Sequence, residues 1–264
     1  MKKAFVTGWP ISQSKSPMLH GFWLEQYGIE GSYEAVGVEP ENFKRFLQKI
    51  PEGDYVGGNV TLPHKEVAFS VIANLDEAAK KIGAVNTLWL EEGKLHGGNT
   101  DAYGFSANMD QHAPEWKEGK TALVLGAGGA SRAIVFSILQ AGYERIDIVN
   151  RTLSRAKTLV EVFGDKCSAH EWDKIHALLP DADLVVNTTS IGMAGSNTTT
   201  MPNLDTARKS SIITDIVYTP LETPFLKAAK MHDLKTVDGL GMLLHQAVPG
   251  FEKWFGIRPE VTDE

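Results

Sequence analysis

The sequence has one cysteine, Cys167, in 264 residues. It has no apolar run approaching a membrane span and no excess of positive charge. Each absence narrows what the chain can be. A single thiol cannot close an intrachain disulfide, which fits a reducing compartment. Cys167 itself is expected to be an inert, half-buried thiol. A membrane helix needs about 20 consecutive apolar residues. The apolar run after Met1-Lys2-Lys3 stops at Gly8-Trp9-Pro10, which is short for the core of a signal peptide. A soluble, cytoplasmic protein is therefore expected. The formal net charge of −7 argues against a general affinity for nucleic acid, although local cations and backbone amides can still hold an anionic ligand. No Cys/His cluster has metal-ligand spacing, so no metal is expected. Internal repeats, low-complexity tracts and flexible linkers are also missing.

The chain is 42% hydrophobic and 22% charged, which allows a packed core in one large domain or two ordinary ones. Short apolar strands alternate with helical periodicity. Strands are predicted at residues 4–6, 33–38, 55–60 and 121–125, then at 146–149, 184–186 and 212–213. A hairpin is predicted around Glu92-Gly93. Helices are predicted at 41–50, 65–75, 132–140, 154–163 and 242–255. A further helix opens at Ser16-Pro17, with Ser16 placed to cap it and Pro17 in its first turn. This alternation argues for parallel sheets with crossover helices.

The sharpest local signal is Gly126-Ala127-Gly128-Gly129-Ala130-Ser131, between a buried strand and a helix. Gly126 permits a tight turn, Gly128 lets the backbone approach a pyrophosphate, and the helix start offers amides to its charge. Ser131 stands where a third glycine is usual, and a small residue still allows close packing. A glycine-rich loop without a ligand is the plain alternative. At the end of the next strand an NAD site usually carries an acid for the ribose hydroxyls. Here the chain has Asn150-Arg151-Thr152, followed by Arg155. Two guanidinium groups and a hydroxyl suit a 2′-phosphate, so the expected cofactor is NADP. The alternative is a solvated helix start, which the helix dipole disfavours for arginine.

Polar clusters fill the first hundred residues: Ser14-Lys15-Ser16-Pro17, Asn59-Val60-Thr61-Leu62-Pro63-His64-Lys65, Gly83-Ala84-Val85-Asn86-Thr87 and Gly98-Asn99-Thr100-Asp101. Four such clusters at strand ends beside a nucleotide module suggest a polar pocket. Together with Gly8-Trp9-Pro10-Ile11, Asn187-Thr188-Thr189-Ser190-Ile191-Gly192-Met193 and Asp238-Gly239-Leu240-Gly241-Met242-Leu243 with Gln246, they resemble the shikimate dehydrogenase family over nearly the whole chain. One departure is Gln13, where many members carry His.

The resemblance implies two α/β domains with an active-site cleft between them. The substrate domain would span residues 1–101, completed by a C-terminal helix at 239–264, and a Rossmann-like NADP domain would span 102–238. It implies interconversion of 3-dehydroshikimate with NADPH and shikimate with NADP. Lys65 and Asp101 would be the catalytic pair. Ser14, Ser16 and Tyr218 would hold the substrate carboxylate, and Thr61, Asn86 and Gln246 the ring hydroxyls. Gly126, Ala127, Gly128, Gly129 and Ala130 would bind the cofactor together with Asn150, Arg151, Thr152 and Arg155. Thr188, Ile216 and Gly239 would lie toward its nicotinamide half. Plain roles stay open beside these: a helix cap for Ser16 or Asp101, a turn for Asn86, and a surface position for Lys65 or Gln246. His20, His64 and His245 read as packing or surface groups. A monomer or homodimer is expected. The rivals are a quinate-accepting NAD enzyme of the same fold, a non-catalytic nucleotide sensor and a methyltransferase. The arginine pair argues against the first and the last, and the presence of both Lys65 and Asp101 against the second.

Overall fold

Ala4, Phe5 and Val6 are all buried, so the strand that carries them must be covered on both faces. The computed structural model, which describes residues 1–193 and 201–262, shows how. The chain divides into two compact units, Met1–Tyr103 with Leu244–Glu264, and Gly104–Leu243. The first unit begins with β1 (Lys2–Gly8), α1 (Ser16–Gln26), β2 (Gly31–Gly37), α2 (Pro40–Lys49) and β3 (Tyr55–Val60). It continues with α3 (Lys65–Val71), β4 (Asn74–Leu75), α4 (Glu77–Ile82), β5 (Thr87–Glu91) and β6 (Lys94–Gly98). The strands form one mixed sheet in the order β2-β1-β3-β5-β6-β4. β1 runs parallel to β2 and β3, whereas β5 is antiparallel to both β3 and β6. Phe5 packs with Phe43, Leu47 and Ala68 on one face. Ala4 and Val6 pack with Trp23, Leu24, Phe251 and Trp254 on the other.

The expected hairpin forms between β5 and β6, with Glu92 and Gly93 at φ 51° and 72°. That double left-handed turn matches the twist of paired strands. The helix predicted at 65–75 is shorter than its periodicity suggests. It stops at Val71, Ile72 turns extended, and Asn74-Leu75 pair with His96-Gly97 instead. Asp76 then accepts the Ala79 amide at 2.6 Å and starts a separate helix, α4. Pairing with a strand twenty residues away is a non-local contact that local periodicity cannot carry.

The second unit takes in most of α5 (Asp101–His112), then β7 (Thr121–Leu125), α6 (Gly129–Gln140), β8 (Arg145–Val149), α7 (Leu153–Phe163) and β9 (Cys167–His170). There follow α8 (Ile175–Leu178), β10 (Leu184–Asn187), β11 (Ile212–Asp215), α9 (Pro224–Met231) and β12 (Lys235–Val237). All six strands are parallel, in the order β12-β11-β10-β7-β8-β9. The order runs outward in both directions from β7, which makes this a doubly wound, Rossmann-type sheet. Ala122 and Val124 pack with Ile134, Ile138 and Leu159, while Leu123 and Leu125 pack with Ile175, Phe225 and Leu226. With both faces covered, β7 reads as a continuous apolar run rather than an alternating one. Cys167 is buried here rather than half-buried, and burial pushes its thiol up to about 11. The last helix, α10 (Leu240–Phe255), starts two residues earlier than its periodicity predicts and ends well short of the chain terminus. Among the described residues no helix is long and apolar enough to cross a membrane.

One packing choice in the first unit makes stability depend on pH. The His20 ring is fully buried, stacked on Tyr33 at 4.0 Å between centroids and near-parallel to Phe251 at 5.8 Å. Burial lowers its pKa from 6.5 to about 3. Between those values the unfolded chain holds a proton that the folded chain lacks. The contribution is therefore present above pH 6.5 and is lost as pH falls toward 3. His20→Phe should make the fall in unfolding free energy from about pH 7 to about pH 5 smaller than in the wild type by about 2 kcal/mol. Urea titrations of both proteins at the two pH values measure it, and an unchanged difference would refute the assignment.

Candidate active site

Lys65 is the first residue of α3 and Asp101 the first of α5. Their side chains meet: Lys65 Nζ donates to Asp101 Oδ2 at 2.7 Å, with the two side chains 27% and 17% exposed. The pair is thus partly desolvated yet open to a ligand. A cation is disfavoured at a helix N-terminus and an anion favoured there, so Asp101 offsets the cost of placing Lys65. Asp101 is further fixed by Asn86, whose Nδ2 donates to Asp101 Oδ1 at 2.8 Å, and its own amide donates to Asn99 Oδ1 at 3.0 Å. Lys65 is therefore no plain surface residue, and the Asp101 carboxylate is directed at Lys65 and Asn86.

Asn86 is buried and reaches across to the 99–101 segment. Its Nδ2 also donates to Thr100 Oγ1 at 3.1 Å, and its Oδ1 accepts from the Thr100 amide and from Thr87 Oγ1, each at 2.8 Å. Both amide hydrogens and both lone pairs are in use.

At the α1 entrance the expectation that Ser16 is the cap needs correction. Lys15 occupies the capping position without a side-chain cap, and Ser16 is already helical. Ser14 Oγ accepts the Ser16 amide at 3.3 Å. Ser14, Ser16 and Thr61 are all partly exposed, and Gln246 is partly buried on α10. His64 is a packing group: it stacks on Phe43 at 4.1 Å and its Nε2 lies 2.7 Å from the Val38 carbonyl oxygen.

In the second unit Gly126 ends β7 at φ +110°, and a Cβ there would lie 2.7 Å from Thr188 Oγ1. Only glycine suits that turn. Gly128 and Gly129 differ, since a Cβ on either would meet nothing within 4 Å. They leave open space at the start of α6, where a phosphate could approach the backbone. Ala127 and Ala130 flank them, half-buried. Ser131 does more than replace a small residue. Its Oγ accepts the Gly128 amide at 3.0 Å and meets Thr188 Oγ1 at 2.6 Å, and Thr188 in turn donates to the Leu125 carbonyl at 2.8 Å. The Thr188 hydroxyl is thus engaged within the fold.

Arg151 and Arg155 flank the start of α7, both exposed, and neither has an ion-pair or side-chain hydrogen-bond partner among the described residues. Thr152 sits at the helix cap without a side-chain cap bond, and Asn150 Nδ2 donates to the Thr152 carbonyl at 2.8 Å. The structure therefore gathers two unpaired cations, an available hydroxyl and a helix N-terminus. Gly239 packs directly on Ile216, whose carbonyl oxygen would lie 2.4 Å from a Cβ at Gly239. Tyr218 is 39% exposed beyond β11. Among the described residues no group of three or more His, Cys, Asp or Glu could hold a metal ion.

Sequence reasoning missed Asn187 and Asp215 as a support. Asn187 Nδ2 donates to Asp215 Oδ1 at 3.0 Å, and Asp215 Oδ2 accepts from Thr223 Oγ1 at 2.7 Å. Burial raises the pKa of Asp215 against the opposing effect of these donors. The motif residue Asn187 was visible, but its partner carries no local signal.

Known protein families match along the chain. A shikimate dehydrogenase substrate binding domain matches residues 6–88, a shikimate/quinate 5-dehydrogenase matches residues 109–240, and a shikimate 5′-dehydrogenase C-terminal domain matches residues 239–263. A Brucella abortus protein named shikimate dehydrogenase (NADP+) is 58% identical over 263 residues, covering 99% of this chain and 91% of that one. A shikimate 5-dehydrogenase of Thermus thermophilus, solved in complex with NADP(H) and shikimate, is 38% identical with a TM-score of 0.87, covering 98% of this chain and 95% of that one. A quinate dehydrogenase of Corynebacterium glutamicum, solved with NAD, is 27% identical with a TM-score of 0.91, covering 98% and 95%.

The two kinds of glycine in the turn should behave differently. Gly126→Ala combines an unfavourable φ with a clash and should cost roughly 1–3 kcal/mol. Gly128→Ala, with open space and φ −93°, should stay within about 0.5 kcal/mol of the parent. Equilibrium denaturation of both variants checks this; equal losses would mean that the turn geometry is misassigned.

Proposed function

The chain belongs to the shikimate dehydrogenase family, and on that premise we propose which of its residues carry the reaction. It is an NADP-dependent oxidoreductase that interconverts 3-dehydroshikimate and shikimate, within the shikimate pathway of aromatic amino-acid biosynthesis. In this reading the first unit binds substrate and the second binds NADP. The 2.7 Å contact between Lys65 and Asp101 carries the assignment.

Bound NADPH supplies a hydride to the ketone carbon. Negative charge then develops on the ketone oxygen, and the Lys65 ammonium donates a hydrogen bond and a proton to it. Asp101 holds Lys65 in place and accepts from the neighbouring ring hydroxyl. In the oxidising direction Lys65 takes the proton back. Ser14 and Ser16 hold the substrate carboxylate at the mouth of α1. Thr61 and Gln246 take ring hydroxyls. Asn86, whose amide is fully engaged, reaches a hydroxyl only by exchanging its Thr100 partner for it.

The cofactor fits the residues present. The open approach at Gly128 and Gly129 suits a pyrophosphate, with Gly126, Ala127 and Ala130 shaping the turn. Arg151, Arg155 and Thr152 suit a 2′-phosphate, supported by Asn150 at the strand end. Ile216 and Gly239, packed against each other, lie toward the nicotinamide end in this reading, and Thr188 steadies the adjoining loop. A single buried thiol fits a cytoplasmic enzyme, and a net charge of −7 fits one without a nucleic-acid or membrane partner. Its working form is a monomer or homodimer.

Kinetics separate the roles. Lys65→Met should lower kcat by about 10²–10⁴-fold, because charge on the oxygen is larger in the transition state than in the ketone. Ser14→Ala should instead raise the KM for shikimate with little change in kcat. The measurement is an NADPH-formation assay crossing shikimate and quinate with NADP and NAD. Near-normal kcat in a folded Lys65→Met protein would remove Lys65 from the chemistry.

A charge-assisted contact contributes about 1.5–3 kcal/mol. Arg151→Ala should therefore weaken NADP binding roughly ten- to hundredfold and leave NAD binding nearly unchanged. Calorimetric titration with both nucleotides decides it, and equal loss for the two would contradict a phosphate clamp.

A further inference from the structure

The carboxylate of Asp101 is the end of a chain of buried hydrogen bonds that begins at Tyr33. Tyr33 Oη donates to Asn59 Oδ1 at 2.6 Å. Asn59 Nδ2 donates to Thr87 Oγ1 at 3.3 Å and to the Asn86 carbonyl at 3.1 Å. Thr87 Oγ1 donates to Asn86 Oδ1 at 2.8 Å, and Asn86 Nδ2 donates to Asp101 Oδ1 at 2.8 Å. Tyr33, Asn59, Thr87 and Asn86 are all buried.

Every bond points the same way, and the direction is forced. An ionised carboxylate only accepts, so Asn86 must present its amide nitrogen to Asp101. Its oxygen then faces Thr87, and the backbone amide of Thr100 confirms that orientation by donating to the same oxygen at 2.8 Å. The Thr87 hydrogen is spent on Asn86, so its free lone pair must accept from the Asn59 nitrogen. The Asn59 oxygen then needs a donor, and the Tyr33 phenol supplies it at 2.6 Å, with the buried His20 ring beside them. Aligned hydrogen bonds of this kind polarise one another in a low-dielectric interior.

We propose that Tyr33 is a positioning residue for the dehydrogenase reaction, setting through Asn59, Thr87 and Asn86 the orientation of the carboxylate that holds Lys65. The proposal rests on the reading of Lys65 and Asp101 as the pair at the reacting oxygen. Tyr33 is buried in the first unit, and its hydroxyl also meets the Ser16 side chain. Its ring, stacked on His20, anchors the far end of the chain in the core. Losing the phenolic hydroxyl takes away the 2.6 Å donor to the Asn59 oxygen and loosens the hold of Asn59 on Thr87, and through Thr87 one of the bonds that fix Asn86.

The test uses Tyr33→Phe, Thr87→Val, the double variant and Thr87→Ser. Tyr33→Phe keeps the ring and its stack, and Thr87→Val keeps shape without the hydroxyl. Each single change should lower kcat about tenfold, the upper scale of one net hydrogen bond, with KM for NADP unchanged. The double variant should lose no more kcat than the worse single, because one chain breaks only once. Thr87→Ser should restore kcat. Normal kcat in both single variants, alongside a large loss in Lys65→Met, would overturn the role of Tyr33 and leave the catalytic pair standing. Losses in kcat that multiply in the double variant would also overturn it, by making each effect local. Normal kcat in Lys65→Met would overturn the pair and the positioning role together. If Tyr33→Phe does not fold, the Thr87→Val and Thr87→Ser comparison decides alone: equal kcat in the two overturns the proposal.

Discussion

The site depends on an ion pair between the first residues of two helices. Lys65 stands where the dipole of α3 disfavours a cation, and Asp101 where that of α5 favours an anion. Both are partly removed from water. Such a pair returns its desolvation cost only when its remaining bonds are satisfied, and on the carboxylate side they are. Asp101 receives Asn86 on one oxygen and Lys65 on the other. The lysine, by contrast, makes one side-chain bond and keeps donors to spare. That asymmetry suits the chemistry, because the carboxylate is held still while the ammonium has hydrogen left to give to a new oxygen.

The second unit solves the opposite problem, presenting positive charge that no anion among the described residues pairs with. Arg151 and Arg155 stay unpaired at the start of α7, and the Gly126 turn leaves its backbone uncovered at Gly128 and Gly129. Its buried acid, Asp215, is kept away from this work. It is used up by Asn187, Thr223 and the amide of Val217, which pin the segments that follow β10 and β11. Ile216 and Thr188 sit on those segments, so their placement follows from a carboxylate that never meets solvent.

Much of this was legible in the sequence where the signal is local. The glycine turn, the Arg151 and Arg155 pair and the hairpin at Glu92-Gly93 follow from φ requirements, charge and spacing within a few residues. Lys65 and Asp101 were legible as members of two motifs, but thirty-six positions apart their contact is a product of the sheet. What failed was non-local or short. β4 exists because Asn74-Leu75 find His96-Gly97. β9 and β12 are brief strands whose apolar residues show too little periodicity to stand out, and α9, although amphipathic, is only eight residues long. Ser16 was read as a cap because Ser before Pro fits that role, yet Ser14, two positions earlier, accepts the Ser16 amide, and the Ser16 side chain meets Tyr33 instead.

A motif also conceals a division of labour among its own residues. In Asn59-Val60-Thr61 the polar pair straddles Val60, but of the two only Asn59 is buried, on β3, with its side chain bonded to Tyr33, Thr87 and the Asn86 backbone. Thr61 lies at the surface end with its hydroxyl available. A buried amide with one bond missing destabilises more than an apolar residue of the same shape. A chain of such amides is therefore built completely or not at all, and Tyr33 is the residue that completes it. The polar interior of the first unit is the inner half of its active site. Around it the buried packing of His20, Trp23, Phe251 and Trp254 shields its few hydrogen bonds from solvent.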